Sequence, residues 1–241
     1  MTRQKKITRN TRRKRKLFLR KLLILLLILL GIVVILLGML YFKGNNITAI
    51  SKLLDFKRFG TVDIVIDPGH GDHDPGAIAD TIYEKDITLA IALKAKDVLT
   101  DAGYKVVLTR IDDTFLELGE RSGIANKKEA KVFVSIHCNS SEDGSGQGIE
   151  TFYTDQKTEE DVLLAEKIQS NLIKQTNARD REIRTANYTV LVRTKMPAVL
   201  VEAGFLTNDS ERSLLVDEEY QNQLASGIAI GIEEFLEETQ E

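Results

Sequence analysis

Residues 22–42, LLILLLILLGIVVILLGMLYF, run for 21 positions without a charge. At about 1.5 Å per residue, a helix of that length crosses a hydrocarbon core of about 30 Å. Core helices of globular domains are rarely apolar on every side for so long. The run therefore reads as a transmembrane helix, and it removes the N-terminal part of the chain from whatever globular fold follows. Eleven Lys or Arg and no acid precede it in residues 1–21. Basic flanks stay in the cytoplasm. The expected order is a basic cytoplasmic segment (1–21), a span (22–42), a polar stalk (43–61) and an outer domain (62–241). A cleaved signal peptide would need a shorter apolar region and a small-x-small cleavage site. LGMLYFKG offers none, so a retained anchor is expected.

The net charge of −3 conceals a division between the two parts. All 36 acids but only 22 of the 33 basic residues lie beyond residue 21, a balance of −14 for that part. A domain so acidic does not bind nucleic acid through its general field. Beside a membrane span, the basic run is explained by topology and by attraction to anionic lipid. The single Cys138 cannot form an intrachain disulfide, so the outer domain depends on its own core. About 180 residues suffice for one such core.

From Val62 onward, apolar runs alternate with helical patterns. VDIVI, YKVVLT, VFVSIH, IETFYT, TVLVR and AVLVE read as six strands. Residues 84–102 place Ile87, Ala90, Ile91, Lys94, Ala95, Val98, Leu99 and Ala102 at helical spacing, with Gly103 as a stop. Further helices are expected over 116–129, 158–176 (opened by Thr158 and Asp161 in capping-box spacing), 209–216 and 218–238. This pattern predicts an α/β domain with an open six-stranded sheet, mostly parallel or mixed, and helices on both faces. The few residues between TVLVR and AVLVE suggest that these two form an antiparallel pair.

The polar residues fall where such a fold binds ligands. Residues 66–78, IDPGHGDHDPGAI, hold two of the three histidines and two of the three prolines. VDIVI runs into Asp67-Pro68-Gly69-His70, VFVSI ends at His137, and AVLV ends at Glu202. Ligands gather beyond the carboxyl ends of strands in open α/β sheets. A parallel arrangement would therefore bring His70, His137 and Glu202 to one rim, and Glu84, opening the first helix, could return to it. Two imidazoles and a carboxylate suit a catalytic zinc, and a further carboxylate can act as base. Gly69 and Gly71 would permit turns on either side of His70. Asp67 is the carboxylate expected to orient the His70 ring.

Taken in order, IDPGHGDHDPGA, Glu84 in YEKD, the stretch from Thr109 to Asn126, SIHCN and PAVLVEAGFLTN resemble the zinc-dependent N-acetylmuramoyl-L-alanine amidases of the amidase-3 type. The resemblance covers residues 62 to 236, nearly the whole outer domain. It implies zinc ligation by His70, Glu84 and His137, with Glu202 as catalytic acid/base. The expected function is hydrolysis of the peptidoglycan amide between the lactyl group of N-acetylmuramic acid and L-alanine. The expected location is the outer, cell-wall side of a bacterial membrane. Asp72 departs from the family pattern, which has a second Gly there; the change removes no ligand. A zinc peptidase acting on the stem peptide and an inactive wall-binding scaffold are the rival readings.

Each site residue also has a plainer explanation. His70 could be a loop histidine with a backbone partner, His137 a core histidine, and Glu84 a helix N-terminal carboxylate favoured by the macrodipole. Their agreement as an ordered series favours the metal. Glu202 follows four apolar residues, where an unpaired charge is costly, and catalysis accounts for it. His73 is expected to face solvent and Cys138 to pack. Asn139 and Arg193 are candidate substrate contacts, although a turn residue and a surface strand end would look the same.

Overall fold

The structure, a computed structural model, describes residues 62–239 together with Leu30. The basic segment, the stalk and all of the expected span except Leu30 lie outside the described residues. Among those described, no helix is long and apolar enough to cross a membrane.

The domain is built on a six-stranded mixed sheet. Its strands are β1 (Ile64–Pro68), β4 (Val106–Leu108), β5 (Val132–Asn139), β6 (Ile149–Tyr153), β7 (Asp180–Thr185) and β8 (Ala198–Phe205), in the order β4-β1-β5-β8-β6-β7. A separate small hairpin joins β2 (Ile78–Ala79) to β3 (Ile82–Tyr83). β1 pairs in parallel with β4 and β5, and β5 with β8. β6 runs antiparallel to β8 and parallel to β7.

The central strands show why the sheet is covered on both sides. β1, β5 and β8 read as continuous apolar runs rather than alternating ones, as doubly buried strands do. Their successive residues point to opposite faces. Ile64, Ile66, Val134 and Val201 meet one large core, whereas Val65, Phe133, Ala198 and Leu200 meet a smaller one. The large core lies under α1 (Glu84–Asp101), α3 (Glu159–Thr176) and α6 (Glu218–Glu238). The smaller one lies under α2 (Leu118–Lys128) and α4 (Thr189–Val192). α5 (Asp209–Leu215) links β8 to α6.

α3 and α6 approach closely because α6 carries Gly227 and Gly231 on one face. A Cβ at Gly231 would lie 2.5 Å from the Ile168 Cα, and one at Gly227 2.8 Å from the Leu172 Cα. Gly231→Ala would have to push the two backbones apart, an overpacking cost of about 1–3 kcal/mol. α3 opens with the expected capping box, in which the Thr158 N–H donates to Asp161 Oδ2 at 3.2 Å. The buried face of α1 includes Thr88 and Ala92 rather than Val98, which is 40% exposed.

One strand expectation is corrected. TVLVR forms no strand: Thr189–Val192 is a single helical turn, α4, with Val190 and Leu191 buried in the smaller core. Three apolar residues suit a buried turn as well as a strand, and periodicity cannot separate the two. The sixth strand is instead β7, DREIRT, a charged edge strand with only partial burial. The antiparallel pair is accordingly β6 with β8, where Glu150 lies opposite Glu202.

Candidate metal centre

Parallel pairing brings the carboxyl ends of β1, β5 and β8 together at one rim. His70 lies in the loop after β1, His137 near the end of β5, and Glu202 on β8 in register with His137. Glu84 returns to this rim as the first residue of α1. His70 Nε2 lies 3.0 Å from Glu84 Oε1, and His137 Nδ1 lies 3.0 Å from the same oxygen. The two ring nitrogens are 3.1 Å apart.

This triangle suits a metal better than hydrogen bonding. His70 Nδ1 sits 2.8 Å from Asp74 Oδ2. A neutral imidazole has one N–H, so donation from Nδ1 to Asp74 leaves Nε2 presenting a lone pair to the triangle. A cation satisfies such a cluster of lone pairs. Ligands of a tetrahedral zinc lie about 3.3 Å apart, given bonds of about 2.0–2.2 Å, so the triangle needs to open by only a few tenths of an ångström. The donor set therefore fits zinc.

Glu84 is held firmly. It is buried; Oε1 also accepts the Cys138 N–H at 2.9 Å, and Oε2 accepts the Ala77 N–H at 2.8 Å. Burial alone raises its pKa, but the neighbouring His137 and His70 rings outweigh this and hold the carboxyl well below the usual range. Burial likewise lowers the His70 pKa, yet Glu84 and Asp74 raise it above the ordinary value on balance.

Glu202 has the opposite character. Among the described residues, its Oε2 is the one buried side-chain oxygen or nitrogen without a hydrogen-bond partner. Burial, then the charges of Glu84 and Glu150, push its pKa well above the usual carboxylate value. A partnerless buried oxygen costs about 1–3 kcal/mol and calls for an explanation. A proton-transferring group facing a cleft supplies one.

The loop that carries His70 turns at Gly71, as expected, and also at two residues outside that expectation. His70 itself is left-handed (φ 62°), as is Asp72 (φ 50°), while Gly71 has φ 139°. Asp tolerates the left-handed region better than most residues, so Asp72 fits where the family has Gly. Its N–H donates to Asp113 Oδ1 at 2.7 Å. Gly69 is required by close approach, because a Cβ there would collide with the His137 ring.

The expected role of Asp67 is also corrected: Asp74 contacts the His70 ring. Asp67 is fully buried and accepts from Arg121 Nη1 at 3.0 Å, from Ser135 at 2.8 Å and from Thr109. Arg121 donates as well to the carbonyls of Pro68, His70 and Leu116. Arg110 donates to those of Pro68, Gly69, Lys85 and Asp112. Two buried guanidiniums thus pin the backbone from Pro68 to His70. Sequence reasoning passed over Asp74, although it shares the loop with His70.

A cleft of about 310 Å³ opens beside the cluster, lined by His70, His137 and Glu202 among others. Asn139 and Arg193 do not line it. Asn139 donates to Glu150 Oε1 at 2.7 Å, and the Arg193 carbonyl accepts from Asn126 at 2.8 Å. His73 is exposed and tilts over Phe115, and Cys138 packs in the large core. Tyr188, which does line the cleft, carried no distinctive signal in the sequence.

Both the sequence and the fold match known proteins. A family model for N-acetylmuramoyl-L-alanine amidase matches residues 64–234. The uncharacterized protein YqiI of Bacillus subtilis is 40% identical over 73% of this chain and 85% of its own length. The N-acetylmuramoyl-L-alanine amidase LytC of the same organism is 41% identical over 70% of this chain, but only 34% of LytC is covered. Among solved structures, an N-acetylmuramoyl-L-alanine amidase from Clostridium difficile 630 matches with a TM-score of 0.71 and 41% identity, covering 74% of this chain and 98% of that one.

Proposed function

The chain belongs to the N-acetylmuramoyl-L-alanine amidase family, and we propose that it is a zinc hydrolase of peptidoglycan. The bond cut is the amide between the lactyl group of N-acetylmuramic acid and L-alanine. One observation carries this reading: three donor atoms converge within 3.0–3.1 Å beside a buried carboxyl oxygen that has no partner.

His70, Glu84 and His137 would hold the metal. Bound there, zinc would supply Lewis-acid polarisation of the carbonyl and a water acidified toward neutrality. Glu202 takes the proton from the attacking water as the carbon–oxygen bond forms. It then returns that proton to the alanine nitrogen as the carbon–nitrogen bond breaks, so that an amine and not an amide anion departs. A raised pKa suits both steps, since the group must accept a proton readily and hold it until the nitrogen is ready. Asp74 orients His70, and Arg110 and Arg121 keep the ligand loop from shifting.

The uncharged run at 22–42 and its basic flank support membrane attachment, with the catalytic domain on the cell-wall side. The acidic balance of the outer part argues against a nucleic-acid partner.

The test is a digest of purified sacculi by the zinc-loaded full-length chain, read by mass spectrometry. Free lactyl-sugar and new L-alanine amino termini are expected. Cuts confined to the stem peptide would instead indicate a peptidase, and wall binding with no release an inactive scaffold.

A further inference from the structure

We propose that Tyr188 is the residue that seats the sugar ring of the substrate, an assignment that rests on the amidase reading above. The tyrosine lies in the cleft lining with the zinc-ligand candidates and Glu202, and it remains 40% exposed. Phe152 backs it edge-on, with ring centroids 5.4 Å apart and planes at 86°. The Tyr188 carbonyl accepts the N–H groups of Leu191 and Val192, which ties the residue to α4. Val190 and Leu191 in turn anchor that turn in the smaller core. The ring is therefore both accessible and held in place, as a stacking platform must be.

The charges along the cleft decide which part of the substrate it meets. Asp74, Glu117 and Glu202 line the cleft, while Arg121 is the one Lys or Arg in its lining. The Arg121 guanidinium is buried and already donates to Asp67 and to three carbonyls. No free lysine or arginine is left in the lining to receive a carboxylate. A stem peptide carries carboxylates, so these walls suit it poorly. An N-acetylated pyranose is uncharged and presents a face of C–H bonds together with an acetamide methyl. Tyr188, with Phe115, Leu116 and Leu118, gives that face an apolar seat.

The experiment compares two substrates on the zinc-loaded full-length chain: a muramoyl-containing glycopeptide and a lactyl-peptide of the same stem lacking the sugar. Tyr188→Ala is expected to lower kcat/KM at least tenfold on the glycopeptide and less than twofold on the sugar-free peptide. Inhibition by the peptide-free disaccharide should weaken at least tenfold as well. Tyr188→Phe, which keeps the ring, should match wild type throughout, and zinc content should not change in either variant. Equal losses on both substrates, a Phe variant as impaired as Ala, or a wild type insensitive to the disaccharide would each overturn the sugar assignment and leave the amidase reading intact. A wild type that frees no lactyl-sugar from sacculi overturns that reading, and this one with it.

Discussion

Asp74 Oδ2 lies 2.8 Å from Nδ1 of His70, four residues away in the same loop, so the ring that points Nε2 at the metal position is aimed from behind by a carboxylate. Such partners fix the orientation of a ligand ring and raise its basicity, and losing one costs about 10–100-fold in metal affinity. Asp74→Asn should therefore bind zinc about 10–100-fold more weakly at an unchanged fold. Competition with a chelator of known affinity, read beside circular dichroism, checks this.

Glu202→Gln keeps the shape of the side chain but cannot move the proton. Turnover should fall by about 10²–10⁴, the usual contribution of a general acid/base. Zinc content should stay stoichiometric, because Glu202 is not among the three converging donors. Metal analysis and a sacculus digest on the same preparation separate the two effects, and an active variant would refute the assigned role.

Metal removal should be felt in stability as well as in activity. A ligand that binds only the folded form stabilises it by about 2.7 kcal/mol at one hundred times its Kd. Chelation is expected to lower the melting temperature and abolish turnover, and zinc should restore both. Glu84→Gln should behave like the chelated protein even with zinc added.

Arg121 and Asp67 form a buried ion pair at 3.0 Å, exposed by 3% and 0% respectively. Breaking such a pair from one side leaves the other charge buried, at a cost of about 3–5 kcal/mol. Arg121→Met should lose that much in urea denaturation. Adding Asp67→Asn to it should cost less than the sum of the two single changes, because the stranded charge is gone.

Tyr220 provides a pH signature away from the active site. Burial, with Glu211 adding to it, pushes its phenol up to about 12. An unfolded tyrosine ionises near about 10, so the neutral phenol favours the folded state. That contribution is whole below about pH 10 and is lost as the pH rises toward the folded value. Tyr220→Phe should flatten the alkaline loss of stability. Melting curves from pH 8 to 11 would show this.

The sequence made parts of this domain plain for identifiable reasons. β1, β5 and β8 are apolar on both faces, and a polar residue closing each apolar run marked the rim. The capping residues of α3 fixed its start, and the expected bounds of α6 coincide with those observed. β7 was invisible because an edge strand that faces solvent need not be apolar. TVLVR misled because burial, not extension, is what Val190 and Leu191 record. Around His70, Asp67 at the end of β1 and Asp74 in the loop are equally plausible partners on paper. Only the left-handed backbone at His70 turns the ring toward the second and leaves the first to Arg121.

The candidate donors are drawn from a loop, a helix start and a strand, with the acid/base on yet another strand, and only the finished register of β1, β5 and β8 assembles them. No partly folded stretch of the chain contains a working set. A molecule still folding would thus be unable to cut, and its capacity to do so would begin with the last of these three strands to pair.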